Sequence, residues 1–147
     1  LVNTIYKVVE AKTPFLGICL GLQLMFEESE ETPGVKGLGL LKGKIVRIPD
    51  GEGLKIPHIG WNNLSYPNEG RLYKDIPEDS FVYFVHSYYL AAENVSDVAA
   101  TTEYSTLIHA SVEHDNIFAC QFHPEKSSDT GLQILKNFIA VQNGEEK

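Results

Sequence analysis

A cysteine between two glycines stands near the start of the chain, in the stretch GICLGLQ (residues 17–23). The pattern G-x-C-x-G between an apolar run and a helix-like segment is the cysteine form of the nucleophile elbow, a sharp, strained strand-to-helix turn. Gly17 and Gly21 are expected to remove side chains that would clash across this turn. The following helix N-terminus is expected to favour the thiolate form of Cys19, and the N–H of Leu20 to point toward a developing oxyanion.

The same pentapeptide is equally compatible with a small buried cysteine in a tight turn, so a base has to be found elsewhere. A cysteine nucleophile needs a base, and the base needs a group that orients it. The stretch QFHPEKS (residues 121–127) offers His123 and Glu125 two positions apart. Residues i and i+2 point the same way in extended backbone, which Pro124 favours for His123. The spacing therefore predicts a Cys19–His123–Glu125 group for nucleophilic catalysis.

The elements that position this group follow from apolar periodicity. Residues 1–10 have apolar side chains at helical spacing, residues 12–19 are typical of a buried strand, and residues 20–29 are typical of a short helix. Residues 27–36 predict an acidic, solvated loop, and residues 71–77 predict a helical turn. Further strands are predicted at 43–49, 60–67, 80–91 (two strands with a bend near His86), 98–104, 107–114 and 116–122.

A last helix is predicted over residues 128–143, capped by Ser128 or Asp129. Its apolar stripe is predicted to comprise Ile134, Leu135, Phe138 and Ile139. Strands alternating with helices indicate an α/β class with an open, mixed, mainly parallel sheet flanked by helices and an antiparallel section in the middle. Because the ends of parallel strands meet at one sheet edge, Cys19 and His123 are expected to lie there together.

Composition excludes several classes of function. The formal net charge of −8 over 147 residues disfavours nucleic acid as a partner. No apolar run reaches the length of a membrane helix. Two cysteines do not make a disulfide scaffold, and we expect a cytoplasmic protein. The histidines outside the candidate triad, His58, His109 and His114 among them, have no metal-ligand spacing, and Cys120 alternates with Gln121 and is expected in the core.

GICLGLQ together with QFHPE resembles the class I, or triad, glutamine amidotransferases. Proteins of this family hydrolyse the side-chain amide of glutamine and pass the ammonia to a synthase. The resemblance implies that Cys19 is the nucleophile, that His123 is base and then acid, and that Glu125 orients it. It also implies that Gln23 helps hold the substrate glutamine, although the residue is equally compatible with a polar position on a helix face. The fold implied is flavodoxin-like, with no metal or organic cofactor.

Three further stretches, GLGLLKGKIVRIP (37–49), PHIGWN (57–62) and YFVHSYY (83–89), resemble the glutaminase subunit of imidazole glycerol phosphate synthase. The resemblance implies a heterodimer with a (β/α)₈-barrel synthase subunit that makes imidazole glycerol phosphate and AICAR in histidine biosynthesis. The residues it places along the glutamine pocket are His86, Ser87 and Tyr88. The residues it places against the barrel subunit are His58, Trp61, Asn62 and Tyr83.

Alternatives stay open at this point. The aromatic residues of these stretches are also typical of a sheet core, which we prefer for Phe84 and Val85, whereas a surface position is preferred for Trp61. The triad alone does not separate this family from the glutaminases of anthranilate, GMP or pyridoxal phosphate synthesis. A non-catalytic module that docks on a synthase is the alternative from a different class.

The family's chain begins with a strand and a helix and reaches a glycine-rich segment that lends a second oxyanion donor. Residues 1–14 contain nothing like that segment. We therefore expect residues 1–147 to be the C-terminal portion of a longer domain that lacks its first strands. Loss of one oxyanion donor typically costs about 10²–10³ in rate, so weak or absent activity is expected of this chain alone.

Overall fold

The computed structural model describes residues 1–144, and in that range it has three α-helices and nine β-strands. The helices are α1 (Val2–Glu10), α2 (Leu20–Leu24) and α3 (Ser128–Gln142). The strands are β1 (Phe15–Ile18), β2 (Glu28–Ser29), β3 (Gly43–Arg47), β4 (His58–Asn63), β5 (Phe81–His86), β6 (Tyr88–Ala92), β7 (Val98–Tyr104), β8 (Thr106–His114) and β9 (Ile117–Cys120). The α/β class is confirmed, and the acidic loop additionally contains the short strand β2.

The largest sheet has four strands in the order β1-β9-β8-β7. β1 and β9 run parallel with Ile18 beside Cys120, so both strands end at the same edge. The other two pairs are antiparallel. Their connections are tight: Ser105 alone joins β7 to β8, and Asp115 and Asn116 join β8 to β9. Connections this short permit only hairpins, since a parallel pair needs a crossover of a dozen or more residues.

Two smaller sheets complete the fold, one of order β2-β3-β6 and one pairing β4 with β5. Among the described residues, β1–β9 and β2–β3 are the parallel pairs, and the other four pairs are antiparallel. The mixed sheet is therefore confirmed, but the prediction of a mainly parallel one is wrong. For the pairs β7–β8 and β8–β9 the reason is the short connections between these strands, which form hairpins rather than βαβ units.

The core forms two layers, one on each face of the four-stranded sheet. Phe118 and Cys120 of β9 enter the layer under α3, with Phe122 and Ile134. Ile117 and Ala119 of β9 enter the layer under α2, with Leu22 and Met25. This alternation is the period-two pattern of a strand buried on both faces. The prediction that Cys120 is a core residue is confirmed, and both Cys19 and Cys120 are free thiols.

The start of α3 differs from the prediction. Neither Ser128 nor Asp129 caps the helix; Ser127 occupies the N-cap position, and its side chain makes no capping bond. The Ser127 hydroxyl instead donates to the His123 carbonyl at 2.6 Å and accepts from the Tyr83 N–H at 2.9 Å. A tertiary contact overrides the local capping preference, because the Ser127 hydroxyl bonds to the backbone of β5 instead of to the start of the helix.

The buried face of α3 is also shifted from the predicted stripe. Ile134 is fully buried, but Ile139 is 53% exposed. Asn137 lies on the buried face and donates from Nδ2 to the carbonyls of Leu72 and Lys74, both at 2.8 Å. A polar residue therefore docks the helix on the 3₁₀ turn at Arg71–Tyr73, which apolar periodicity cannot reveal. No helix within residues 1–144 is long and apolar enough to span a membrane.

Candidate active site

The elbow is present as a single strained residue between β1 and α2. Cys19 has φ 53° and ψ −104°, a backbone conformation that residues other than glycine rarely adopt. A Cβ on Gly17 would lie 2.5 Å from the Met25 Cε and 2.9 Å from backbone atoms of Gly21, so this position requires glycine. A Cβ on Gly21 would meet nothing within 4 Å, so the prediction that both glycines avoid a clash is right for Gly17 and wrong for Gly21.

The Cys19 thiol is half-buried, and burial raises its pKa above the ordinary value. The N–H of Leu20 and the side-chain amide of Gln121 act in the opposite direction, because both donate hydrogen bonds that favour the thiolate. The carboxylates of Glu125 and Glu31 add to the rise. The N–H at the start of α2 favours the thiolate, as expected, but desolvation is the larger effect and the pKa of Cys19 is raised on balance.

His123 and Glu125 form a hydrogen-bonded pair at the end of the strand next to the elbow. The His123 Nδ1 lies 2.8 Å from the Glu125 Oε2. A 3₁₀ turn over Pro124–Lys126, not extended backbone, brings the two side chains together. Because a carboxylate can only accept, Nδ1 carries the proton and Nε2 is left as the basic nitrogen.

The acidic partner of this pair stays ionised. Slight burial raises the pKa of Glu125, but the hydrogen bond to His123, its own backbone N–H and the charges of His123 and Lys126 together hold the pKa below its ordinary value. The imidazole is mostly covered, whereas half of the Glu125 side chain is exposed. The carboxylate is therefore suited to orient an imidazolium rather than to exchange protons itself.

Backbone contacts with β9 and β5 hold Cys19 and His123 in place. The N–H of Cys19 donates to the Cys120 carbonyl at 2.8 Å, which fixes the elbow against the end of β9. The N–H of His123 donates to the Tyr83 carbonyl of β5 at 3.0 Å, and the Cys19 Sγ lies 4.0 Å from the Val85 carbonyl of the same strand. The structure thus places Cys19 against the end of β9 and both Cys19 and His123 against the backbone of β5.

A cleft of about 220 Å³ opens beside Cys19. Its lining residues are Cys19, Leu20, Gln23, Glu31, Val85, His86, Ser87 and Tyr88. All four residues expected along a glutamine pocket therefore line the same cavity as the candidate nucleophile. Phe84 is fully buried as predicted, but Val85 is half-buried in the cleft wall rather than in the core.

Sequence reasoning missed Glu31 and Gln121. Glu31 belongs to the loop that was interpreted as a solvated surface, and only the fold reveals that it reaches the cleft. Gln121 is fully buried; its Oε1 accepts from the Gln23 Nε2 at 3.4 Å, and its Nε2 lies 3.7 Å from the Cys19 Sγ. The sequence did indicate the direction of the Gln121 side chain, because residue 121 continues the alternation of Ile117 and Ala119 toward the α2 face.

Two histidines form a buried pair behind the cleft. The His86 Nδ1 lies 2.8 Å from the Tyr88 carbonyl, which can only accept, so Nδ1 carries the proton. The His86 Nε2 therefore accepts from the His58 Nδ1 at 3.0 Å. Burial and the neighbouring His86 lower the pKa of His58 to about 4, and burial also lowers the pKa of His86, so both rings are neutral.

Of the residues expected at a partner surface, two lie on an open apolar face of β4 and β5. Trp61 is 49% exposed and packs edge-on against the Tyr83 ring at 5.9 Å. Ile59 and Phe81, on the same face of the two strands, are also exposed. We call the set Ile59, Trp61, Phe81 and Tyr83 the aromatic face.

The other two residues expected there are engaged within the chain. Asn62 donates from Nδ2 to the Glu103 carbonyl at 3.0 Å. His58 is only 3% exposed and stacks on the ring of Tyr104 at 3.9 Å, so its side chain cannot itself present a surface. We correct the assignment of His58 to a surface for this reason. Within residues 1–144, no group of three or more His, Cys, Asp or Glu side chains is placed to hold a metal ion.

Comparison with known proteins gives a consistent family match. Residues 1–141 match the family described as glutamine amidotransferase class-I. The chain is 46% identical over 141 residues to the imidazole glycerol phosphate synthase subunit HisH of Methanocaldococcus jannaschii, covering 96% of this chain and 70% of that protein. It is 49% identical over 138 residues to the subunit of the same name from Moorella thermoacetica, covering 94% and 65%. The chain thus spans about two thirds of the length of the curated relatives it matches.

Solved structures agree on the fold. A glutamine amidotransferase from Thermotoga maritima superposes with a TM-score of 0.62 at 20% sequence identity, covering 98% of this chain and 53% of that chain. At this identity the likeness concerns the fold alone.

Proposed function

The chain belongs to the class I glutamine amidotransferase family, with relatives among the HisH subunits of imidazole glycerol phosphate synthase, and from this premise we propose that it hydrolyses glutamine to glutamate and ammonia for histidine biosynthesis. The observation that carries the proposal is the position of the Cys19 elbow and the His123–Glu125 pair at the ends of two adjacent parallel strands, with Cys19 also lining the cleft.

The reaction follows from the protonation states of the triad. His123 Nε2 takes the proton of the Cys19 thiol, whose raised pKa keeps it neutral at rest, and Sγ attacks the δ-carbon of glutamine. The oxyanion accepts a hydrogen bond from the N–H of Leu20. The C–N bond breaks as His123 returns the proton to the leaving nitrogen, which departs as ammonia. His123 then takes a proton from water and the hydroxide attacks the thioester carbon. The C–S bond breaks as His123 returns the proton to the sulphur, which leaves glutamate and the free thiol.

Recognition of the substrate is assigned to the polar residues of the cleft. Both N–H groups of Gln23 have acceptors, in the Tyr88 carbonyl and the Gln121 Oε1. In the described part of the chain the Gln23 Oε1 has no hydrogen-bond partner, so it is available to accept from an N–H of glutamine. The Glu31 carboxylate supplies the negative charge that an amino-acid ammonium group requires.

The partner that we propose is a (β/α)₈-barrel synthase subunit, bound as a heterodimer on the aromatic face. The support is an exposed cluster rich in Trp, Phe and Tyr, which are the residues enriched at interface hot spots. The same strand β5 that carries Phe81 and Tyr83 also contacts His123 and Cys19 through its carbonyls. Docking on this face therefore places a receiving site for ammonia close to the nucleophile.

A thiol nucleophile works only while it is reduced, and both cysteines of this chain are free. We therefore propose that the enzyme acts in the cytoplasm, where thiols are kept reduced.

The proposed activity is tested by covalent labelling with an electrophilic diazo-ketone analogue of glutamine, in the presence of the barrel subunit. We expect mass spectrometry to find one adduct, on Cys19, and excess glutamine to slow its formation. Cys19→Ala should abolish both the adduct and ammonia release, whereas Cys120→Ala should retain both. A label that ignores glutamine, or that attaches to another residue, would refute the assignment.

A further inference from the structure

Gln121 is a buried amide that the catalytic steps do not use. Its side chain is fully buried, although it directly follows the apolar strand β9 and lies between Cys120 and Phe122. Burying an amide is unfavourable unless its donors and acceptor are satisfied. The side-chain partners of this amide are both parts of the site: the nucleophile sulphur and Gln23.

The contacts fix which end of the amide faces which partner. The Gln23 Nε2 is a donor, so the atom facing it at 3.4 Å must be the Gln121 oxygen. The Gln121 Nε2 then faces the Cys19 Sγ at 3.7 Å and donates to it. A reversed amide would set two NH₂ groups against each other and an oxygen against the sulphur. The orientation is therefore determined by the chemistry of its neighbours.

We propose that Gln121 is a positioning residue: its amide N–H holds the Cys19 sulphur while its amide oxygen orients Gln23 toward the bound substrate. One buried side chain then links the reacting atom to the residue that recognises the substrate. The part of this inference that concerns substrate binding rests on the proposed glutaminase function. Its contacts with Cys19 and Gln23 are independent of that function.

The first test follows the alkylation of Cys19 by iodoacetamide as a function of pH, in the purified chain without glutamine. Gln121→Met keeps the approximate size of the side chain but removes both hydrogen bonds. We expect the midpoint of the alkylation profile to rise by about one pH unit, because the thiolate loses a donor. Glu125 and Glu31 also raise the pKa of this thiol, and neither of them changes in the variant.

The control is Cys120→Ala, which removes a core side chain from the opposite face of the same strand. A merely structural role for Gln121 predicts similar behaviour of the two variants. Our proposal predicts a shifted midpoint in Gln121→Met alone, together with a KM for glutamine that rises about tenfold through the loosened Gln23. An unchanged midpoint in folded Gln121→Met overturns the proposal.

A second variant keeps the test decisive if the methionine protein does not fold. Gln121→Glu has the shape of the native residue but places an oxygen at the Cys19 sulphur, so the midpoint should rise further than in Gln121→Met. An unshifted midpoint there also overturns the positioning role. The alkylation assay needs no turnover. A wild-type chain that neither reacts with the diazo-ketone at Cys19 nor releases ammonia in the presence of the barrel subunit therefore refutes the proposed function while leaving the Gln121 result intact.

Discussion

At the scale of single residues, the site depends on side chains whose environment reverses their ordinary tendencies. Cys19 stays a thiol because partial burial outweighs two hydrogen bonds that favour its charged form. In the mechanism that we propose, a neutral thiol is still competent, since its proton passes to His123 as the sulphur attacks. Cys19 has a strained, positive φ, and its N–H is held by the Cys120 carbonyl.

The elbow predicts unequal roles for its two glycines. Gly17→Ala forces a methyl group into the Met25 side chain and the Gly21 backbone, so we expect the free energy of unfolding to fall by about 1–3 kcal/mol. Gly21→Ala meets open space within α2 and is expected to be neutral or to stabilise by up to about 1 kcal/mol. Urea unfolding of both variants measures this difference, and equal losses would contradict the steric explanation.

The pair of His123 and Glu125 predicts a kinetic effect without a structural one. Glu125→Ala leaves the imidazole free to take the wrong tautomer, so kcat should fall about 10²-fold. The Glu125 side chain is half exposed, so the free energy of unfolding should change by less than about 0.5 kcal/mol. Steady-state kinetics with glutamine, compared with Glu10→Ala on α1, gives the answer. A wild-type kcat in Glu125→Ala would remove this residue from the triad.

At the scale of elements, β5 contributes to the core, to the aromatic face and to the site. Its alternating side chains serve the first two, and its backbone serves the third. Its inward side chains, Val82 and Phe84, enter the core, while Phe81 and Tyr83 stand on the aromatic face. Its carbonyls hold the base and contact the nucleophile. A shift of this strand would therefore move the backbone contacts of both His123 and Cys19.

The buried histidines that join β4 to the cleft predict acid sensitivity. The folded pKa of His58 is about 4, below the value of an exposed histidine, so the unfolded chain binds protons first as pH falls. Stability should decrease between about pH 6.5 and pH 4 by about 2–3 kcal/mol from this residue, and the full contribution is present at neutral pH.

Equilibrium unfolding across that pH window measures the effect. His58→Asn keeps a donor near the His86 Nε2 but does not titrate, so its stability should depend less steeply on pH. His114→Asn is the matched control, because His114 is an exposed histidine paired with Asp97. Equal pH dependence in His58→Asn and the wild type would contradict a buried neutral ring at this position.

At the scale of the whole molecule, the aromatic face predicts the position of the barrel subunit. Trp61→Ala should weaken binding of that subunit by about 2 kcal/mol, or about 30-fold in Kd, because a large exposed ring at the centre of the face is lost. The matched control is Ile139→Ala, a similarly exposed apolar residue on α3. Calorimetric titration of both variants distinguishes them, and equal affinity for the two would place the interface elsewhere.

Much of the fold was accessible from the sequence because its signals are local. The helix over residues 2–10, the bend after His86 and the turn at Asp115–Asn116 follow from periodicity and turn chemistry in short windows. Pairing direction was less accessible: short connections forced hairpins on β7, β8 and β9, and the expected parallel pairing is present in β1–β9 and β2–β3. The capping of α3 was lost because Ser127 bonds to β5 instead.

The sequence by itself determined which residues do the chemistry that we propose, since the Gly17–Cys19 elbow and the His123–Glu125 spacing are covalent facts of the chain. Only the tertiary structure decided how these groups behave. It brought Glu31 to the cleft and Gln121 to the Cys19 sulphur, buried His58 and left Trp61 exposed. The physical reason is that desolvation and hydrogen bonding depend on neighbours far away along the chain, and periodicity reports only neighbours within a turn or two.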